Sequence, residues 1–272
     1  MCQLLAMSCK QPATINFSFE GFATRGGRTD EHQDGWGIAF FEDEGCRMFL
    51  DAQPACSSPV AELIRQYPIK SRNVIAHIRK ATEGSGGVAL QNCHPFSREL
   101  WGRPWIFAHN GNVNPFVPPA DAPAVHVPIG QTDSERAFCY ILNRLRAKFA
   151  VQPPLDALQA ELADMAAQIA QHGTFNFVLS NGQLMFAYCT TNLHVVTRRH
   201  PFTTAKLADC DMQMDFSKHN QIDDVISVIA TKPLTADEVW HAFSPHELRV
   251  FHEGECIAVG PCAAQPPAVA PS

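Results

Sequence analysis

The chain opens MCQLLAMS, with a cysteine directly behind the initiator methionine. As local structure, Cys2 is the first apolar residue of a strand reaching Ser8, because a free cysteine commonly behaves as a small buried hydrophobe. As chemistry, it offers covalent catalysis by a thiol. Removal of Met1 ahead of so small a residue would leave one residue carrying both a thiol and a free α-amine.

Other candidates stand at the ends of strand-like runs. NVIAHIRKAT places Arg79 and Thr82 where a strand gives way to the glycine-rich EGSGG. FAHNGNV ends a second strand on Asn110 and Gly111. NCHPF puts His94 in a loop, HQDGWGIAF opens a strand with Gly-Trp-Gly, and GQTDSE puts Asp133 in the first turn of a helix. Each has a plainer reading. Arg79 suits a solvated strand end, and Asn-Gly is commonly only a turn. Thr132 and Glu135 form a Thr-x-x-Glu capping box around Asp133, and an acid there also suits the positive end of the helix dipole. Gly84 to Gly87 lack the Lys-Ser/Thr of a phosphate-binding loop. None is decisive singly.

The elements that must hold these residues are mostly short strands: GWGIAFFED, CRMFLDA, NVIAHIRKA, PWIFAHNG, FNFVLS, LMFAYCT, LHVVTRR, DVISVIATKP, ELRVFHEG and ECIAV. Asn181-Gly182 and Glu253-Gly254 are hairpin signals. A 3.6-residue apolar period through Ala137, Phe138, Ile141, Leu142, Leu145 and Phe149 predicts a helix from Thr132 to Phe149. Leu155, Leu158, Leu162, Met165 and Ile169 predict another, and 59–66 a shorter one. Strands in blocks around two adjacent helices imply antiparallel sheets with helices outside them.

Bulk composition narrows the function. The formal net charge is −6 with no basic run, which argues against a nucleic-acid partner. No apolar stretch approaches the ~20 residues of a membrane span. The start does not read as a secretory signal, because no basic residue precedes its short apolar run, so a cytoplasmic protein is expected. The ten cysteines are scattered without a CxxC pair, and His241, His246 and His252 lack a helical ligand spacing. No metal site and no cofactor are expected.

Taken in order, the candidates resemble the class II glutamine amidotransferases, members of the N-terminal-nucleophile hydrolases. That family has a processed N-terminal cysteine followed by AH-x-R-x-A-T, N-x-HP, HNG and TD[ST]E segments. Here these read AHIRKAT (76–82), NCHPF (92–96), HNG (109–111) and TDSE (132–135), and Arg25-Gly26 matches an early arginine-glycine. The resemblance implies an α+β fold, a four-layer αββα sandwich of two antiparallel sheets with outer helices. It implies Cys2 as nucleophile, with its own α-amine, of reference pKa about 7.7–8.0, as base. Asn110 and Gly111 would bind the oxyanion, Arg79 the substrate α-carboxylate and Asp133 its α-ammonium. Thr82 and His94 match positions lining the glutamine pocket, and EGSGG becomes a lid hinge.

Departures exist. Lys80 and Glu83 stand where the family often has tryptophan and histidine. One domain over 1–260 is expected, then a disordered Pro/Ala-rich tail over 261–272, with no acceptor-binding synthase domain. DGWG resembles the stand-alone branch of the family, in which some members act on γ-glutamyl compounds. The expectation is a cytoplasmic amidohydrolase that cleaves glutamine or a small γ-glutamyl amide through a Cys2 thioester once Met1 is removed. The alternatives are a glutaminase subunit of a synthase and a non-catalytic glutamine-sensing module. The expected partner is a small-molecule substrate, and a homo-oligomer stays open.

Overall fold

The computed structural model describes residues 2–81, 87–119 and 124–260. Met1, the candidate Thr82, most of the glycine-rich hinge and the expected tail at 261–272 lie outside the described residues. The first part of the chain forms β1 (Gln3–Thr14), α1 (Asn16–Thr24), β2 (Trp36–Glu42), β3 (Gly45–Asp51), α2 (Pro59–Gln66) and β4 (Lys70–Ile78). Then follow β5 (Phe96–Leu100), β6 (Arg103–Asn112), α3 (Asp133–Lys148) and α4 (Leu155–Ala170). The remainder is strand: β7 (Thr174–Ser180), β8 (Met185–Cys189), β9 (His194–Arg199), β10 (Thr204–Lys206) and β11 (Gln213–Asp215). It ends with β12 (Val225–Ala230), β13 (His241–Ala242), β14 (Glu247–His252) and β15 (Glu255–Val259).

Two antiparallel sheets stack face to face. One has the order β13-β9-β12-β1-β4-β2-β3 and the other β15-β14-β8-β7-β6-β5; β10 and β11 form a separate ribbon. Three apolar layers separate four layers of structure. Phe19 and Phe22 of α1, with Ala61 and Ile64 of α2, cover the outer face of the first sheet at Met7, Trp36, Ile38 and Val74. Leu4, Ala6 and Ile75 meet Ile106, Ala108 and Val178 between the sheets. Phe138 and Leu142 of α3, with Leu162 and Met165 of α4, cover Phe107, Phe177 and Phe186. This is the αββα sandwich. Because both faces of each sheet are covered, its central strands read as near-continuous apolar runs and not as alternating ones.

The helix expected from Thr132 forms with Thr132 as N-cap, its side chain accepting the Glu135 N–H. Glu135 does not complete the capping box. Its carboxylate instead takes the N–H groups of Ile129 and Gly130 and an ion pair from Arg98, pinning the loop that leads into α3. Helix α1 has no counterpart among the sequence expectations. Its NFSFEGFAT lacks good helix formers, and Phe17, Phe19 and Phe22 are buried on different sides, so no polar stripe betrays a period. Strands β5, β10, β11 and β13 were likewise absent from the expectations.

Register then sets the site. Gln3 pairs with Ile78 across β1 and β4, so Cys2 comes level with Arg79 one step further on. Leu5 pairs with Ala230 across β1 and β12, which brings Thr231 beside Leu4. Asn110 pairs with Asn176 across β6 and β7. Cys2 shares the face of Leu4 and Ala6, and Asn110 that of Ile106 and Ala108. Both therefore project into the layer between the sheets.

Candidate active site

At one end of that layer lies a cavity of about 140 Å³ whose walls include Cys2, Arg79, His94, Gly111 and Asp133. Five sequence candidates, 131 residues apart at the extremes (133 − 2), share it. Lys80, His109, Asn112, Ser134 and Thr174 complete much of the rest.

Cys2 is half-buried, and its Sγ sits against the backbone of Lys80. It accepts the Lys80 N–H at 3.3 Å and lies 3.4 Å from the Lys80 carbonyl oxygen. Burial pushes the thiol pKa up; the Lys80 N–H and the nearby Arg79 pull it back only in part. A buried thiolate is poorly solvated, so the thiol keeps its proton until a base takes it.

Arg79 follows the last residue of β4 and is buried. Its Nη1 donates to the Gly87 carbonyl at 2.6 Å. The DGWG segment clamps this strand end. The Arg79 N–H donates to the Gly35 carbonyl at 2.8 Å and the Asp34 N–H to the Arg79 carbonyl at 3.1 Å. The Asp34 carboxylate then takes the Ala81 N–H at 2.7 Å. Gly37 cannot be larger, since a Cβ there would meet the His94 carbonyl oxygen at 2.4 Å. Arg25, which matches the family's early arginine, is buried and reaches Asp209 and the carbonyls of Lys232 and Pro233.

Gly111 has no room for a side chain either: a Cβ would lie 1.9 Å from the Thr174 carbonyl oxygen. Asn110 is fully buried and sits behind the cavity wall. Its Nδ2 lies 3.2 Å from Thr231 Oγ1, and its Oδ1 is buried with no partner among the described residues. Asp133 caps the turn after β6, accepting the Val113 N–H at 2.7 Å through Oδ2 and the Ser134 N–H at 2.8 Å through Oδ1.

Three buried histidines back the cavity. His109 Nε2 faces the Thr174 carbonyl at 3.1 Å and must therefore carry a proton, leaving Nδ1 to accept from Ser134 Oγ at 2.8 Å. Burial lowers its pKa, so it is a neutral ring with both nitrogens engaged. The His94 ring lies tilted against His77, with centroids 4.2 Å apart, and is held neutral by burial well below the ordinary imidazole range. No histidine hydrogen-bonds Cys2 Sγ among the described residues. Nor does any group of three or more His, Cys, Asp or Glu side chains there cluster as metal ligands.

The family model for glutamine amidotransferases of class II matches residues 1–270. The chain belongs to this family. YafJ of Escherichia coli (strain K12) is 48% identical to this class II glutamine amidotransferase over 258 residues, covering 94% of this chain and all of YafJ. A Pseudomonas aeruginosa protein solved at 2.0 Å, and titled a predicted glutamine amidotransferase, superposes with a TM-score of 0.74. It is 40% identical and covers 94% of this chain and 100% of that one. Glutamine phosphoribosylpyrophosphate amidotransferase of Bacillus subtilis has the same fold, with a TM-score of 0.56 at 14% identity over 93% of this chain and 47% of its own. The γ-glutamyl-hercynylcysteine sulfoxide hydrolase of Mycolicibacterium smegmatis is 30% identical over 159 residues, 57% of this chain and 60% of that one.

Several residues at or behind this cavity carry little or no signal in the sequence. Thr174 and Asn112 line the cavity through strand register, which no local motif signals. Ser134 lies inside the TDSE segment, but only its contact with His109 gives it a task. Asn176 had one visible sign, a lone amide in the apolar run FNFVLS.

Proposed function

We propose that this class II glutamine amidotransferase hydrolyses glutamine or a small γ-glutamyl amide through a γ-glutamyl thioester on Cys2, after Met1 is removed. The observation that carries the reading is the meeting of Cys2 Sγ, the Arg79 cation and the Asp133 anion at one small cavity. An α-amino acid head carries both charges, and the two walls complement it. Arg79 can bind the α-carboxylate through paired donors, and Asp133 can accept from the α-ammonium.

The chemistry needs a base on Cys2 itself. The thiol proton passes to the freed α-amine as Sγ bonds to the amide carbon. The carbonyl oxygen becomes an oxyanion, stabilised by the Asn110 side-chain N–H and the Gly111 backbone N–H, each such donor being worth about 3–4 kcal/mol. Collapse breaks the C–N bond, and the ammonium proton goes to the leaving nitrogen, releasing ammonia or an amine. Water then adds to the thioester carbon, giving its proton to the amine. The thiolate leaves, retakes that proton, and glutamate departs. Hydrolysis, as opposed to transfer, is supported by the M. smegmatis relative, whose name is that of a γ-glutamyl hydrolase.

The test is glutamine and γ-glutamyl-amide hydrolysis by the processed protein alone, beside its Cys2→Ala variant. A steady rate that Cys2→Ala abolishes, with substrate binding retained, is expected. Hydrolysis by Cys2→Ala at the parent rate would return Cys2 to the role of a strand residue. Turnover that appears only on adding a synthase and its acceptor would make the chain a glutaminase subunit.

A further inference from the structure

The proposed oxyanion hole has two donors, and each is held by a buried residue that takes no step in the reaction. The inference rests on the reading of Asn110 and Gly111 given above.

Asn176 is fully buried and uses all of its hydrogen-bonding capacity. Its Nδ2 donates to the Asn110 carbonyl at 3.0 Å and to Thr191 Oγ1 at 2.9 Å. Its Oδ1 accepts the N–H groups of Thr190 at 2.9 Å and Thr191 at 3.0 Å. Such a residue cannot rotate without breaking four bonds. In a trans peptide the C=O and the next N–H point in opposite directions. Holding the Asn110 oxygen toward β7 therefore turns the Gly111 N–H away from β7, and Gly111 lines the cavity.

Thr231 acts on the other donor. Its Oγ1 accepts the Leu4 N–H at 2.9 Å and faces Asn110 Nδ2 at 3.2 Å. In this orientation of the amide the hydroxyl receives two donors and, among the described residues, donates to nothing, and Asn110 Oδ1 has no partner there. A buried acceptor left without a donor is costly. The two ends of a carboxamide have nearly the same size, so a half-turn of Asn110 changes no volume. It lets the Thr231 hydroxyl donate to Oδ1 while still accepting from Leu4. The amide nitrogen then occupies the side that Oδ1 now holds. On the reading of Asn110 given above, an oxyanion on that side would be repelled by Oδ1 and bound by Nδ2.

We infer that Thr231 and Asn176 are the positioning residues of the oxyanion hole, Thr231 by accepting from Leu4 and donating to Asn110 Oδ1, and Asn176 by fixing the Asn110–Gly111 peptide plane. Neither touches substrate. Leu4 lies two residues from Cys2, so the same hydroxyl ties the nucleophile's strand to the amide.

The experiment is steady-state glutamine hydrolysis by the processed full chain carrying Thr231→Val, Thr231→Ser, Asn176→Asp or Asn110→Ala, and by the Thr231→Val/Asn110→Ala pair. Thr231→Val keeps the shape and loses the hydroxyl; Asn176→Asp keeps the shape and loses the donor. Each should lower kcat about 10- to 100-fold with KM unchanged, as expected when a group is misplaced by an ångström or so. Thr231→Ser should restore kcat to near the parent value. The double variant should be no slower than Asn110→Ala alone, because the hydroxyl acts only through that amide. Where Thr231→Val does not fold, Thr231→Ala enters the same cycle. A parent-like kcat in the hydroxyl-free variant, or a loss that multiplies in full with that of Asn110→Ala, overturns the assignment. Cys2→Ala, run alongside, separates the two levels. Turnover unaffected by Cys2→Ala fells the reaction itself and this inference with it. Turnover abolished by Cys2→Ala but indifferent to Thr231 fells the positioning role alone.

Discussion

Cys2 Sγ lies 3.3 Å from the Lys80 backbone N–H, across 78 residues of chain, at the strand end that also carries Arg79. The same short segment thus seats the thiol and presents the guanidinium. Burial keeps that thiol protonated, and no imidazole reaches it among the described residues. On the proposed mechanism the base is the α-amine of processed Cys2, which works only when neutral. The kcat/KM for glutamine should rise with pH and level off above about 7.7–8.0, the ordinary range of an α-amine. A pH-rate profile flat across that range contradicts an amine base.

Asp133 is proposed to bind the substrate as well as to cap the turn after β6. Its Oδ2 holds the Val113 N–H and its Oδ1 the Ser134 N–H. Asp133→Asn keeps an oxygen for Val113 but loses the charge. It should raise KM for glutamine at least tenfold while costing less than about 1 kcal/mol of stability, the scale of a helix N-terminal charge. Asp133→Ala should do both kinds of damage. An unchanged KM in folded Asp133→Asn would leave the residue as a cap and nothing more.

Two neutral histidines make the fold acid-sensitive. His77 and His94 are held well below the ordinary imidazole range, first by burial, then by the neighbouring histidine rings and by Arg79. In the unfolded chain both titrate near 6.5. Below that pH the unfolded state binds protons that the folded state refuses. Stability is therefore lost as pH falls through about 6.5, at up to roughly 1.4 kcal/mol per pH unit for each histidine. Above it they contribute no slope. Urea midpoints measured on both sides of that pH should show the fall, and His94→Gln should flatten it. An identical slope in the variant contradicts the assignment.

Glu135 anchors the approach to the cavity. It is buried and holds Arg98 with the N–H groups of Ile129 and Gly130. Glu135→Ala should cost about 3 kcal/mol in urea unfolding, because it strands a half-buried guanidinium and two N–H groups. Arg98→Met should cost less, since the loop bonds survive. Equal losses would show that the loop draws nothing from Glu135.

Legibility followed the range of the signal. Helix α3 was readable because its apolar period and its Thr132 cap are local; α2 forms at the expected residues, and its Ser58 cap and Pro59 at its start are local too. Helix α1 was not, since only packing on both sides holds it helical. Cys2, Arg79, His94, Gly111 and Asp133 could be named as residues, but their meeting depends on register between strands far apart in sequence. The Asn110–Thr231 contact spans 121 residues and the Asn110–Asn176 contact 66. DGWG read only as a marker of kinship, whereas the structure makes it the clamp on Arg79.

The central claim is that a processed Cys2 is the acylated residue. Intact mass and peptide mapping of active protein, quenched during turnover of a γ-glutamyl amide, test it most directly. The expected result is a chain lacking Met1, with one γ-glutamyl group on Cys2 and no such group in Cys2→Ala. Met1 retained in the active preparation, or the acyl group found on another residue, would contradict it.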